Sequence, residues 1–326
     1  MSECSRPHLQ YFYNASAYGL AGEIERPMRH SISAQAATTL AGSGGRGFQR
    51  IENFSVSPFV SFDAAYTEVG GSFDDCHNQH TTFAYSVIEG LDIAGMVTAD
   101  RVVARMAIYS PTVPCTGASK DAPKAAVTSS PTVPGAGDSK EAPKAAADED
   151  LEHSFDITGS YFDNLRVAGH KIEVQLATHR LHKYQKYSQL SSADTRDADL
   201  LQPWGDLDPD GVSKLEGLEG EYHALTGFGS RARKWKTNRE QRCMGGMFWC
   251  SAAGHYNLHA EFSETELHGF GGIICIPKFG VVRLAEVVIH KHRRQLHMLR
   301  VDMCSTNNGN IVGGGAGGGG GSMPPP

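Results

Sequence analysis

The densest concentration of metal-binding atoms in this 326-residue chain is Cys76-His77-Asn78-Gln79-His80, which follows Asp74-Asp75. Zinc takes thiolate and neutral imidazole donors converging as a tetrahedron, and two histidines three apart in a turn can fill two of its corners. The remaining corners must come from elsewhere, and His255 with His259 or Cys243 with Cys250 are the available donors. One reading is therefore a metal-dependent hydrolase on a β-scaffold, with zinc on Cys76, His77 and His80 and an Asp assisting. Without a second tight ligand pair, the plainer reading is a polar hairpin loop, and no cofactor is expected.

Asp206-Leu207-Asp208-Pro209-Asp210-Gly211 has the one-three-five carboxylate spacing and sixth-position glycine of a calcium loop. Ser213 stands at the eighth position, where a hydrophobe is usual, and Gly217 at the twelfth, where a bidentate Glu closes the site. Calcium on Asp206, Asp208 and Asp210 is thus the alternative to a solvated acidic turn.

Arg231, Arg233, Lys234, Trp235 and Lys236, continued by Arg239 and Arg242, form the one local basic concentration. Cations neutralise phosphates and an aromatic face stacks a base, so the composition suits a polyanion or nucleic acid. The formal net charge of -6 opposes that use. A solvated face, or an internal partner for the acidic stretch Asp194 to Glu221, is expected instead. Gly42-Ser43-Gly44-Gly45-Arg46-Gly47 fits a dinucleotide pattern, but Phe48 to Val56 alternates like a strand, where phosphate binding needs a helix N-terminus. No strand-turn-helix nucleophile motif is present, and no catalytic residue is nominated.

Positioning elements are mostly strands. Arg101 to Ser110 sets Val102, Ala104, Met106 and Ile108 against Arg101, Val103, Arg105 and Ala107, and Ile172, Val174 and Leu176 alternate with charged or polar residues. Val281 to His290 and Leu296 to Val301 flank Lys291-His292-Arg293-Arg294, which predicts a hairpin with a basic tip. Three stretches echo one another: Asn53-Phe54-Ser55-Val56, Gly90 to Ala94-Gly95, and Asn164 to Ala168-Gly169. Their apolar spacing predicts strands, the last two running through a glycine turn into another strand. Helical periodicity is scarce, best between Ala193 and Leu201.

Two low-complexity tracts divide the chain. Ser110-Pro111-Thr112-Val113-Pro114 recurs twenty residues later as Ser130 to Pro134, in a Pro, Ala and Lys background with almost nothing to bury. The expected organisation is a first β-hairpin set at 1–109, a disordered tandem-repeat insertion at 110–150, a second set at 151–306 with a polar excursion at 183–242, and a flexible Gly/Pro tail at 307–326. No run approaches the ~18 apolar residues of a membrane helix. Seven cysteines without a CxxC pair, and no secretory leader, predict a cytoplasmic location.

The fold expected is mainly β, an antiparallel sandwich or partly closed barrel built from two related hairpin sets. The function expected is a non-catalytic binding or assembly protein with loop-borne contacts to a protein partner, with neither membrane nor nucleic acid as the target.

Overall fold

The computed structural model describes residues 10–112, 152–192, 202–204, 209–226, 228–237, 247–257, 267–304 and 308–323. The predicted insertion lies almost wholly outside the described residues, as does the predicted helix at 193–201. Seven strands open the chain: β1 (Gln10–Ile24), β2 (His30–Gln35), β3 (Thr38–Thr39), β4 (Gly45–Val56), β5 (Val60–Asp74), β6 (Gln79–Ile93) and β7 (Val97–Pro111). Short strands β8 (Ser154–Asp156), β9 (Tyr161–Asp163), β10 (Arg166–Val167), β11 (His170–Lys171) and β12 (Glu173–Leu176) follow. The polar excursion carries short helices α1 (Thr178–Lys183), α2 (Tyr187–Ser192), α3 (Pro209–Glu219) and α4 (Phe228–Thr237). Strands then return as β13 (Met247–Ser251), β14 (Ala253–Asn257), β15 (His268–Phe270), β16 (Ile273–Ile276), β17 (Gly280–His290), β18 (Arg293–Cys304) and β19 (Asn308–Met323). Among the described residues, no helix is long and apolar enough to cross a membrane.

Two antiparallel sheets pack face to face. Sheet I runs β15-β16-β17-β18-β19-β1-β2, with β13 also on β17 and β3 on β1; sheet II runs β11-β10-β7-β6-β5-β4, with β8 and β9 also on β7. Both sheets have open ends, so the architecture is a sandwich, not a barrel. Each sheet draws on both hairpin sets: β1 to β3 join the C-terminal strands, and β8 to β11 extend the sheet of β4 to β7. Ile88, Val102, Met106, Ile108 and Phe155 of sheet II share one buried core with Ala15, Ala17, Leu20, Met298 and Leu299 of sheet I.

The C-terminal glycine run corrects the expectation of a flexible tail. Residues 308–323 form β19, which pairs with β1 along one edge and β18 along the other. Composition suggests flexibility because glycine has nothing to bury, yet a central strand is held by backbone hydrogen bonds on both edges and needs no side chains of its own. Neighbouring groups occupy the space side chains would take. The Tyr18 ring lies where a Cβ on Gly315 would sit, 2.3 Å from that position, and the Tyr11 hydroxyl is 2.0 Å from the Cβ position of Gly320.

The echoed motifs mark one line across sheet II. Asn53 in β4, Gly90 in β6 and Asn164 before β10 all have left-handed backbone, φ 55°, 64° and 48°. By strand register they stand level with Asp63 of β5 and Asp100 of β7. Asn164 Nδ2 donates to Asp100 Oδ2 at 3.1 Å. The line switches which alternate residues face inward: Val60 and Phe62 are buried on one side of it, and Ala65, Thr67 and Val69 on the other. Ala94-Gly95 and Ala168-Gly169 are positive in φ at both residues, as the centre of a type I′ turn requires, and the second pair closes a two-residue hairpin between Val167 and His170.

Gly315→Val should therefore displace Tyr18 and lower stability by about 2–4 kcal/mol. Gly321→Ala, where nothing lies within 4 Å of the added carbon, should change it by less than about 0.5 kcal/mol. Denaturant melts of the two variants measure the contrast.

Candidate binding face

The residues singled out from sequence do not assemble into a site. Cys76 and His77 occupy the β5–β6 turn, where Asp74 Oδ1 accepts both their backbone N–H groups and Asp74 Oδ2 lies 2.7 Å from His77 Nδ1. That hydrogen bond from His77 holds the Asp74 carboxyl below its ordinary range. His80 has already entered β6 and points into the sandwich, its Nδ1 2.8 Å from the Tyr13 hydroxyl and its ring stacked 3.8 Å from Tyr11. The predicted zinc ligands thus diverge, because Cys76 and His77 stay on the exposed turn while His80, already on β6, points to the tyrosines of β1. Among the described residues, no three His, Cys, Asp or Glu side chains gather as a metal-ligand set.

Of the predicted calcium loop, Asp206 and Asp208 lie outside the described residues, and Asp210 stands in the first turn of α3, which runs on to Glu219. Of the basic cluster, Arg233 is spent on Glu216 of α3, with Nε 2.9 Å from Oε1 and its second nitrogen on Oε2. Arg231 lies 5.9 Å from the Phe228 ring centre. Lys234, Trp235 and Lys236 continue along α4, and their side chains lie outside the described residues. The internal acidic partner expected for this cluster is therefore present. The basic hairpin tip is similarly reduced, since Arg294 turns inward, fully buried, and donates to the His153 carbonyl at 2.9 Å.

At the same pole, the structure builds a network that no sequence motif announced. Tyr11 of β1 donates to Ser110 Oγ of β7 at 2.7 Å, and Ser110 Oγ lies 2.5 Å from His153 Nδ1. The ring also bonds the Gly320 backbone, and burial, followed by Arg294 and His292, pushes its pKa down to about 4. A neutral histidine beside a serine is the chemistry of a nucleophile and its base. Ser110 is only 2 % exposed, however, so no substrate reaches it; the network bolts β1, β7 and β19 together.

The outer faces of the two sheets differ sharply. On sheet I, Arg283 is buried between Glu286, 3.1 Å away, and Asp302, with Phe228 and Trp249 each 5.8 Å from its guanidinium. Burial alone would lower the Arg283 pKa, but Glu286 and Asp302 hold it above its ordinary value. Beside them, burial drives His297 down to about 4 and Tyr18 up to about 12.

Sheet II turns a different surface outward. Alternation along paired strands places Arg46, Phe48, Arg50 and Glu52 of β4 beside Tyr66 and Glu68 of β5, then Phe83, Tyr85 and Glu89 of β6, then Arg101 and Arg105 of β7, and Tyr161 of β9. Phe48 is 63 % exposed and Tyr161 42 %. Their floor is Val87 and Val103, both buried beneath the rings. Burial raises the Tyr85 pKa, and Tyr66 beside it adds to the effect. Charges are matched locally: Arg101 donates to Glu89 at 2.7 Å, and Arg50 and Glu52 stand 2.7 Å apart. Sequence reading missed this face by treating the outward positions as mere solvent partners of a core. The signal was their type, since aromatic and arginine residues recur where Ser or Lys would suffice. A polar cleft of about 180 Å³ at the strand ends, lined by Ser55, Ser57, Pro58, Ser61 and Asp92, is smaller than the ~300 Å³ at which small-molecule pockets begin.

Residues 11–118 and 146–290 match a family model described as a domain of unknown function, DUF8256. The interval between the two matched segments holds most of the tandem repeat. No curated protein and no solved structure matches the chain.

Because His153 and His297 have pKa values of about 4 when folded and near 6.5 when unfolded, their neutral forms support the fold fully above pH 6.5. That support is lost as acid protonates the unfolded chain in preference, from about pH 6.5 down to about 4. Stability measured by denaturant should fall through this window, and His153→Asn should flatten the slope even if it lowers stability at pH 7.

Proposed function

The chain belongs to the DUF8256 family, and from that premise we propose that it is a non-catalytic, cytoplasmic binding or assembly protein that meets a protein partner with the outer face of sheet II. The observation that carries this reading is the composition of a sheet face that no other element covers among the described residues: Phe48, Tyr66, Tyr85 and Tyr161 interleaved with Arg46, Arg50, Arg101 and Arg105. Tyrosine and arginine dominate the energetics of protein interfaces because each combines a large apolar surface with directed polar groups at modest entropic cost. From strand spacing and rise, five strands over about seven residues present on the order of 600 Å², close to the ~800 Å² one partner contributes to a standard interface.

The sheet face gathers in one place the rings and guanidinium groups that the predicted loops carry singly, so it is preferred here to the loop-borne contact expected from sequence. Local pairing of the outward charges favours a partner that brings no strong net charge, which argues against a polyanion. The buried free thiol of Cys250 suits a reducing compartment and so supports the cytoplasmic part of the proposal.

Replacing Tyr66, Tyr85 and Tyr161 together by Ala uncovers Val87 and Val103 and should lower thermal stability by several degrees, yet leave the chain folded and remove the partners that the parent chain crosslinks in its own cells. An unchanged crosslinking pattern in a folded triple variant would overturn the reading.

A further inference from the structure

β4 is the edge of sheet II. Among the described residues it pairs with β5 alone, and no side chain along its twelve residues is buried. A long open edge offers unpaired N–H and C=O groups to another strand, and proteins ordinarily blunt it with charge or a kink. β4 has both, in a particular arrangement. The left-handed residue Asn53 interrupts regular pairing, so the usable edge ends at Glu52. Within it, Arg46, Phe48, Arg50 and Glu52 face one side, and Gly47, Gln49 and Ile51 the other.

We infer that a second copy of this chain occupies that edge, with β4 pairing antiparallel to its own counterpart across a two-fold axis at Gln49. This inference rests on the assembly reading above and names the partner for one part of the same surface. The reason is charge complementarity. With Gln49 opposite Gln49, each Arg46 faces Glu52 of the other copy and each Phe48 faces Arg50, giving two ion pairs and two cation–aromatic contacts on the outer side. Moving the axis one step that keeps side chains on the same face, to Phe48, sets Arg46 against Arg50; moving it to Arg50 sets Arg50 against itself. Like charges directly opposed across strands destabilise the pairing. Only the Gln49 register matches signs without crossing the kink. The charges that would otherwise block the edge therefore select one partner and one alignment.

These charges are free to change partner. The side chains of Arg46 and Glu68 stand 3.8 Å apart at 79 % and 37 % exposure, and those of Arg50 and Glu52 are 54 % and 56 % exposed; such solvated pairs hold little energy. Self-pairing would join two copies of sheet II into one surface and double the tyrosine-rich face.

The test is sedimentation of the full chain over a range of concentrations. The parent should form a dimer that weakens with salt. Arg46→Glu and Glu52→Arg should each weaken it by about tenfold or more, since two symmetric pairs turn repulsive in each. The double variant R46E/E52R should restore it, and an equimolar mixture of the two single variants should form a heterodimer. A parent that stays monomeric, or a dimer that neither reversal weakens, or a double variant no tighter than the single ones, would overturn self-pairing. Thermal melts of the exposed-site variants confirm that they fold. Failure here leaves the tyrosine-face reading standing, because the triple tyrosine variant tests that separately.

Discussion

How closely the two sheets approach is set by β19, whose run from Gly313 to Gly321, at the centre of sheet I, carries no side chain but the methyl of Ala316. Inward, a Cβ on Gly313 would come within 3.1 Å of Ile88, and one on Gly318 within 3.1 Å of Ile108. Also inward, Tyr11 lies across Gly320 and reaches Ser110 of β7; outward, Tyr18 lies across Gly315. The core chains of β6 and β7 reach the backbone of β19 directly, and Tyr18 closes its other side. Interiors pack at crystal-like density, so a side chain at these positions would have to displace a neighbour. The Ser110–His153 bolt depends on the same approach, because the imidazole bonds the backbone of Gly320.

The row through Asn53, Gly90 and Asn164 acts at a second level. A left-handed residue costs on the order of 1 kcal/mol for any residue with a side chain, yet the row appears on alternate strands of sheet II, and sheet I has counterparts at Ala36, Ala285 and Gly314. Its effect is to switch inward and outward positions along every long strand. Arg283 and Glu286, three apart, come to share one face of β17 in this way, since Ala285 between them is left-handed. The same switch bounds the straight part of β4. One backbone device thus places the buried charge network on sheet I and shapes the exposed edge on sheet II.

Function follows from which faces are left open. Sheet I is closed by Phe228, Trp249 and buried ion pairs, whereas sheet II keeps its aromatic and arginine residues toward solvent. An uncovered face of matched charge and planar rings is suited to recognition, and the occluded serine–histidine pair to holding strands together. Both proposals therefore concern sheet II.

Period-two alternation at Val102 to Ile108 and the Ala-Gly turns were enough to read antiparallel hairpins, because strand geometry and positive φ are local demands that act on neighbouring residues. The engagement of Arg233 by the acidic stretch was legible for a similar reason, opposite charge close in the chain. Zinc at Cys76, His77 and His80 was not excluded by spacing alone, since convergence depends on where each side chain points once the strand begins. The glycine tract shows the same limit: nothing in a run of residues without side chains says that two strands will flank it. Alternation and turn chemistry are written in the order of residues, whereas the pairing of β19 with β1, about 300 residues away, and the covering of sheet I but not the outer face of sheet II exist only once the chain has closed on itself.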